Sequence, residues 1–390
     1  MITIQGDEIR KLCISDMHFT YRDLTNPDKD MTHIYNGFVD YARGSDAHMV
    51  INYGDTISSE YLWYLHSLSS SSLSANVDQA ARDKYVQLLT ERRLRRDSSK
   101  PDRFHSNSFL IQQFARASGH PHALSRSEIE QQLHEIRSHD RDLIDFIIQA
   151  QNKSNKPLFM LHGNHECITL SESEIAGLFN RASGHKHVKH TTHPYAFYQD
   201  VELVNDERDP IVVREVFFNS NIHNHATGGL SLGPHDLEWL QDTLADADGR
   251  AVINMHIPLN FDQTPDEDPY SITRTYKESD TIRKAIAKAG NVALVASGHI
   301  HRIMFNQIDG VNYLTMPSFR HIPAFIDQDG RKGLKDPTGY FHELTLDFNT
   351  LTGQIERKRV IRNADDSISI KSERKARHDF APKSPLQFKL

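Results

Sequence analysis

The sequence predicts an α/β fold in which buried strands deliver polar side chains to one site, with a mainly helical insertion between the second and third of those strands. Three observations predict it. Short apolar runs each stop at residues able to bind metal or phosphate, helical periodicity fills much of the chain between them, and the alternation breaks from about residue 60 to 150.

The runs are residues 10–15 before Asp16, 47–52 before Gly54-Asp55, 157–161 before Gly163, 251–255 before His256, and 292–297 before Gly298-His299. Strands whose carboxyl ends line a site stop in this way. Between them, Leu143, Ile144, Ile147 and Ile148, and later Leu237, Trp239, Leu240 and Leu244, recur at helical spacing. The interruption holds a serine-rich stretch at 69–72, a basic helix-like run at 84–96 and a polar helical segment at 128–137, so a helical cap is expected over 60–150. Residues 1–59 and 151–370 then form the core. Strands are expected at 341–348 and 354–361, and a flexible tail over 371–390.

At 390 residues the chain exceeds what one ordinary core fills, which implies one large domain with insertions or two domains. Its 38% apolar and 25% charged residues exclude disorder throughout. A net charge of -7 does not favour nonspecific nucleic-acid binding. Two cysteines, Cys13 and Cys167, make no disulfide framework, and a reducing compartment is expected. The first residues lack the basic-then-apolar build of a signal peptide, and no run of about 18 apolar residues occurs. A cytoplasmic protein with no membrane partner is expected.

Asp16-Met17-His18 puts a carboxylate and an imidazole on one face of an extended chain, since side chains at i and i+2 share a face. In Gly54-Asp55 the glycine permits a sharp turn that brings the carboxylate inward. Gly163-Asn164-His165-Glu166 joins a loop-freeing glycine, an amide oxygen able to ligate a hard cation, and a histidine beside it. His256 and the pair His299-Ile300-His301 complete the series. Taken singly, an Asp-x-His, a Gly-Asp turn, an Asn-capped helix start or a strand-end histidine is ordinary structure.

Taken together, in this order and each behind an apolar run, the five blocks resemble the calcineurin-like metallophosphoesterase superfamily. Its signature runs Asp-x-His, Gly-Asp, Gly-Asn-His-Asp/Glu, His and Gly-His-x-His, here from residue 16 to residue 301. The resemblance implies a four-layer α/β/β/α sandwich of two mixed sheets flanked by helices, carrying the inserted helical cap. It implies two divalent or mixed-valence transition-metal ions, such as manganese, iron or zinc. Asp16, His18, Asp55 and His301 would hold one; Asp55, Asn164, His256 and His299 would hold the other, with Asp55 bridging. A hydroxide bridging the metals would attack phosphorus in line, and His165, outside the metals, would protonate the leaving group or stabilise developing charge.

One departure narrows the substrate. Phosphoprotein phosphatases and many nucleases of the family place an aspartate three residues after the bridging one, which in the former steadies the catalytic histidine, and Ser58 stands there instead. The stretch 217–220, followed by Gly229-Leu230 and residues 237–240, resembles the cyclic-nucleotide phosphodiesterase-like branch, though it reads equally as a strand, a turn and an amphipathic helix. Hydrolysis of a phosphodiester of a nucleotide or other small molecule is therefore expected. The alternatives are a phosphomonoesterase, a nuclease favoured only by the basic run Arg92-Arg93 and Arg95-Arg96, and a non-catalytic scaffold. Asn221 and His223, after a strand near the site, are candidate substrate contacts, whereas His185, His187, His190 and His193 are expected in one exposed loop.

Overall fold

The structure, a computed structural model, describes residues 1–19, 31–57, 126–163, 165–166, 170–190, 196–218, 220, 235–259, 276–301, 303–320, 338–363, 365–372 and 386–390. The chain divides into two compact units, one of residues 1–58 with 143–390 and one of residues 59–142.

In chain order the described elements are β1 (Ile2–Gln5), β2 (Glu8–Ile14), α1 (Met31–Gly44), β3 (Met49–Asn52), α2 (Arg126–Asn152), β4 (Leu158–Met160), α3 (Glu172–Phe179), a 3₁₀ turn (Ser183–His187), β5 (Lys189–His190), β6 (Phe197–Asn205) and β7 (Arg208–Phe218). They continue with α4 (Asp236–Ala245), β8 (Arg250–Met255), α5 (Tyr276–Ala289), β9 (Val292–Ser297), β10 (Met304–Ile308), β11 (Val311–Thr315), β12 (Thr338–Asp347), β13 (Thr352–Arg362), β14 (Ile368–Ser372) and β15 (Leu386–Lys389).

Two mixed sheets carry the first unit. One runs β1-β6-β7-β8-β9-β11-β10 with β5 on β6, and the other β14-β13-β12-β2-β3-β4 with β15 on β13. β2, β3 and β4 are mutually parallel, as are β7, β8 and β9, so the carboxyl ends of each set face one way. Every residue of β3 and β9 is buried, which is why these strands read as unbroken apolar runs. β6 alternates buried and half-buried residues.

Three cores separate four layers. Ile9, Cys13, Ile51 and Phe159 of one sheet meet Val213, Phe217, Val252 and Leu294 of the other in the inter-sheet core. Ile34, Phe38 and Val39 of α1 pack with Leu143, Ile144, Ile147 and Ile148 of α2 over the outer face of the β2 sheet. Leu240 and Leu244 of α4 and Ile282 and Ile286 of α5 cover the other sheet, with Trp239 stacked on Phe218. This is the expected α/β/β/α sandwich.

Several expectations change. The unit boundary falls at 143, inside the continuous helix α2, because the four apolar residues from Leu143 onward are buried in the first unit. The basic run, the serine-rich stretch and Cys167 lie outside the described residues. The tail expected to be flexible from 371 contributes the end of β14 and all of β15, with Phe388 buried in the inter-sheet core and Lys389 O accepting a 2.6 Å bond from Asn312 Nδ2. His185 is no loop histidine. It is buried against Phe197, and its Nε2 accepts from Met160 N at 3.0 Å. Among the described residues, no helix is long and apolar enough to cross a membrane.

Candidate metal centre

The site forms where β2, β3, β4, β8 and β9 end. Asp16 and His18 follow β2, Asp55 follows β3, His165 follows β4, His256 follows β8, and His299 and His301 follow β9. Asp16 and His18 do not converge by strand pleating as their spacing suggests. Both lie beyond the strand with φ of 50° and 48°, and His299 and His301 likewise have φ of 75° and 55°. Asp55 shares this left-handed conformation, φ 50°, so five of the nine non-glycine residues with positive φ among the described residues belong to the site. Each such residue costs about 1–3 kcal/mol and persists only where its surroundings hold it.

Those surroundings are hydrogen bonds between loops. Asp16 N donates to Gly54 O at 2.9 Å, His18 N to Asp55 O at 3.0 Å, and His299 N to Asp16 Oδ2 at 2.9 Å. Ser318 Oγ donates to Asp16 O at 2.6 Å and Arg320 to His18 O at 2.9 Å. Gly54 and Gly163 let the β3 and β4 loops touch. A Cβ on Gly54, at φ 97°, would stand 2.6 Å from Gly163 N, and one on Gly163 would strike the Asp55 carboxylate.

Glu166, to which the sequence reading gave no role, ties the same loops together. It is fully buried and accepts from Gly163 N at 2.7 Å, Asp55 N at 3.2 Å, Ile57 N at 3.4 Å and Thr56 N. Burial, then the nearby Asp55 charge, pushes its carboxyl up to about 7. Asn52 shapes the turn beneath, its Oδ1 accepting from Gly54 N at 3.1 Å. A buried asparagine closing an apolar strand was the available sequence signal for that role, and the fourth letter of the Gly-Asn-His-Glu block was the signal for Glu166.

Two sets of donors converge. His18 Nε2 and His301 Nε2 stand 3.0 Å apart, with Asp16 Oδ1 at 3.3 Å from the latter and 4.0 Å from the former. His256 Nε2 and His299 Nδ1 stand 3.2 Å apart, with Asp55 Oδ1 at 3.5 Å from His256 Nε2. The donor atoms within each set lie within 4.8 Å of one another, and the same holds for a third set of His18, Asp55 and His165. His165 Nε2 is 3.8 Å from Asp55 Oδ2, closer to the donors than a residue standing apart from the metals requires.

Charge follows this packing. Burial raises the Asp16 carboxyl, but the His301 imidazole outweighs it and brings it to about 2. Asp55 falls well below the usual carboxylate range, where His256 and His165 overcome burial. Burial lowers His256, yet Asp55 beside it raises it to about 9, and Asp16 raises His301 in the same way. Burial, with His165 close by, holds His18 well below its ordinary value. Without a cation, the two carboxylates are balanced by protonated imidazoles.

The residues present fit metal ions. Asp16 Oδ1 is buried with no hydrogen-bond partner among the described residues, and the ring nitrogens of His18 and His301 and of His256 and His299 stand in close pairs, 3.0 and 3.2 Å apart. Mixed nitrogen and oxygen donors suit manganese, iron or zinc alike. Asn164, Asn221 and His223 lie outside the described residues, as does Ser58. The partner that orients His165 is not found among the described residues, where its buried Nδ1 has none.

A family model described as calcineurin-like phosphoesterase matches residues 127–302. Comparison with curated proteins gives no match. Among solved structures, a dimetal phosphatase from Danio rerio is 13% identical at a TM-score of 0.49, covering 90% of this chain and 95% of its own. An anchor of the inner membrane complex of Plasmodium is 10% identical at 0.40, covering 97% and 92%. A phosphopantetheinyl hydrolase from Mycobacterium tuberculosis is 12% identical at 0.33, covering 80% and 91%. Asp16, His18 and Asp55 precede the matched segment, and the fold brings them to the histidines within it. Residues 127–302 are thus similar to the calcineurin-like phosphoesterases.

Proposed function

We propose that the chain hydrolyses a phosphodiester of a nucleotide or other small molecule, with two transition-metal ions held at the ends of the five strands. Metal-dependent phosphoester hydrolysis is the activity of the family whose model matches residues 127–302. The observation that carries it is the convergence of two largely buried donor sets, Asp16-His18-His301 and Asp55-His256-His299. Asp16, His18 and His301 would hold one ion and His256 and His299 the other, with Asp55 between them and Asn164 completing the second set by resemblance.

Bound there, such ions polarise phosphoryl oxygens and lower the pKa of water toward about 7. The protein's part is placement. Glu166 fixes the loops that carry Asp55 and His165, so both present at set positions. The His165 side chain is 20% exposed, open enough to reach a substrate, and serves to protonate the departing oxygen or stabilise charge on the phosphoryl group. Ser58 in place of the phosphatase aspartate supports a diester over a phosphoprotein.

The test compares an aryl phosphodiester with an aryl phosphomonoester across added manganese, iron and zinc, followed by a nucleotide panel. Faster cleavage of the diester, abolished by a chelator, is expected. Faster cleavage of the monoester overturns the diester assignment, and no cleavage of either overturns the enzyme reading.

A further inference from the structure

A chain of buried polar side chains crosses the inter-sheet core beneath the site. Lys11 Nζ on β2 pairs with Glu215 Oε1 on β7 at 2.5 Å, and both side chains are at most 1% exposed. Glu215 Oε2 accepts from Asn254 Nδ2 on β8 at 2.9 Å, and Asn254 Oδ1 accepts from the Tyr53 hydroxyl at 2.9 Å. Tyr53 and Asn254 are fully buried. Tyr53 immediately precedes Gly54-Asp55, and its carbonyl accepts from His256 Nδ1 at 2.7 Å. A carbonyl only accepts, so the His256 ring carries hydrogen on Nδ1 and turns Nε2 toward Asp55.

The apolar strands around this chain do not need it. A buried ion pair loses in desolvation much of what it gains in attraction, and replacing both partners with apolar residues of similar size is often neutral or stabilising. Its position offers a different purpose. It ties the end of β3, which bears Asp55, to β7 and β8 of the opposite sheet, the latter bearing His256. The two donors come from different sheets, and the chain is a directional link between them.

We propose that Lys11, Glu215, Asn254 and Tyr53 are positioning residues that set the spacing of Asp55 and His256 and thereby the affinity of the metal position built on Asp55, His256 and His299. This rests on the two-metal reading above. The first position, on Asp16, His18 and His301, is held by loop backbone contacts, two of them to Gly54 and Asp55, and by Ser318 and Arg320, so the chain bears on it less directly.

The test titrates chelator-stripped full-length protein with Mn²⁺ and follows electron paramagnetic resonance, in which an isolated ion and a spin-coupled pair give distinct signals. The variants are Tyr53→Phe and the double variant Lys11→Met/Glu215→Leu. Wild-type protein is expected to give the coupled signal at two equivalents. In both variants the first equivalent binds as before and the second about tenfold or more weakly, leaving isolated-ion signal at two equivalents. The double variant also gives up the bond from Asn254 Nδ2, so a cooperative melt close to the wild-type temperature is expected, which separates positioning from general loosening.

Variants that give the wild-type coupled signal at two equivalents overturn the positioning role while the two-metal reading stands. Equal weakening of both equivalents overturns it too, since that is the signature of a loosened fold. Wild-type protein that takes up no Mn²⁺ overturns both readings together. Should the double variant not fold, Tyr53→Phe, which removes a single hydroxyl oxygen, decides alone.

Discussion

The two halves of the site are built by different means. Asp16, His18 and His301 all sit in left-handed backbone, as do Asp55 and His299, and main-chain bonds from neighbouring loops hold Asp16 and His18. His256 leaves its strand without such strain and is aimed by a carbonyl from the opposite sheet, at the head of a buried polar chain. The first half also joins the two sheets, Asp16 and His18 following β2 and His301 following β9, but loop contacts hold it, so substitutions in those loops should act on it most. The second depends on two sheets meeting in register, so changes deep in the core should reach it.

Asp55 belongs to neither half exclusively, and its replacement should have the largest effect. Asp55→Asn is expected to reduce hydrolysis to background and empty the second position, read by elemental analysis, whereas Asp16→Asn should empty the first position and spare the second. Loss of both metals in Asp16→Asn would break the distinction. Next, His165→Ala is expected to retain bound metal and to lower kcat by about 10²–10⁴-fold, the usual share of a general acid. Lost metal in that variant would instead make His165 a ligand, as its 3.8 Å approach to Asp55 permits.

The metal-free protein offers a smaller, pH-dependent effect. With its folded pKa raised from 6.5 to about 9, His256 contributes stability that is present below pH 6.5 and lost as pH rises toward 9. The contribution is at most about 3 kcal/mol, from 1.36 kcal/mol per pKa unit. Thermal melts between pH 6 and 9 should show this decline in wild-type protein and less of it in His256→Gln. An unchanged slope in His256→Gln would place the titration elsewhere. Glu166→Gln puts an amide N–H where an oxygen accepts from backbone, and should cost about 1–3 kcal/mol of stability as backbone N–H groups lose their acceptor. Urea denaturation measures it.

Much of this was legible in the sequence because parallel strands buried on both faces must be apolar along their length, which made the ends of β2, β3, β4, β8 and β9 stand out. The ligand types at those ends followed. How Asp16 and His18 converge was not legible, since a two-residue spacing implies a pleat and the chain uses left-handed backbone, which no residue type but glycine announces. The Lys11-Glu215-Asn254-Tyr53 chain was hidden for another reason. Its members lie up to 243 positions apart, and each alone looks like a stray polar residue in an apolar strand. β15 was overlooked because Leu386, Phe388 and Leu390 alternate over only five residues after a charged stretch.

The central claim is that this chain holds two metal ions, and metal stoichiometry tests it most directly. Protein loaded with Mn²⁺, desalted and measured by elemental analysis should carry two ions per chain, falling when Asp55 is replaced by Asn. Folded wild-type protein that comes through the same treatment empty would contradict the account.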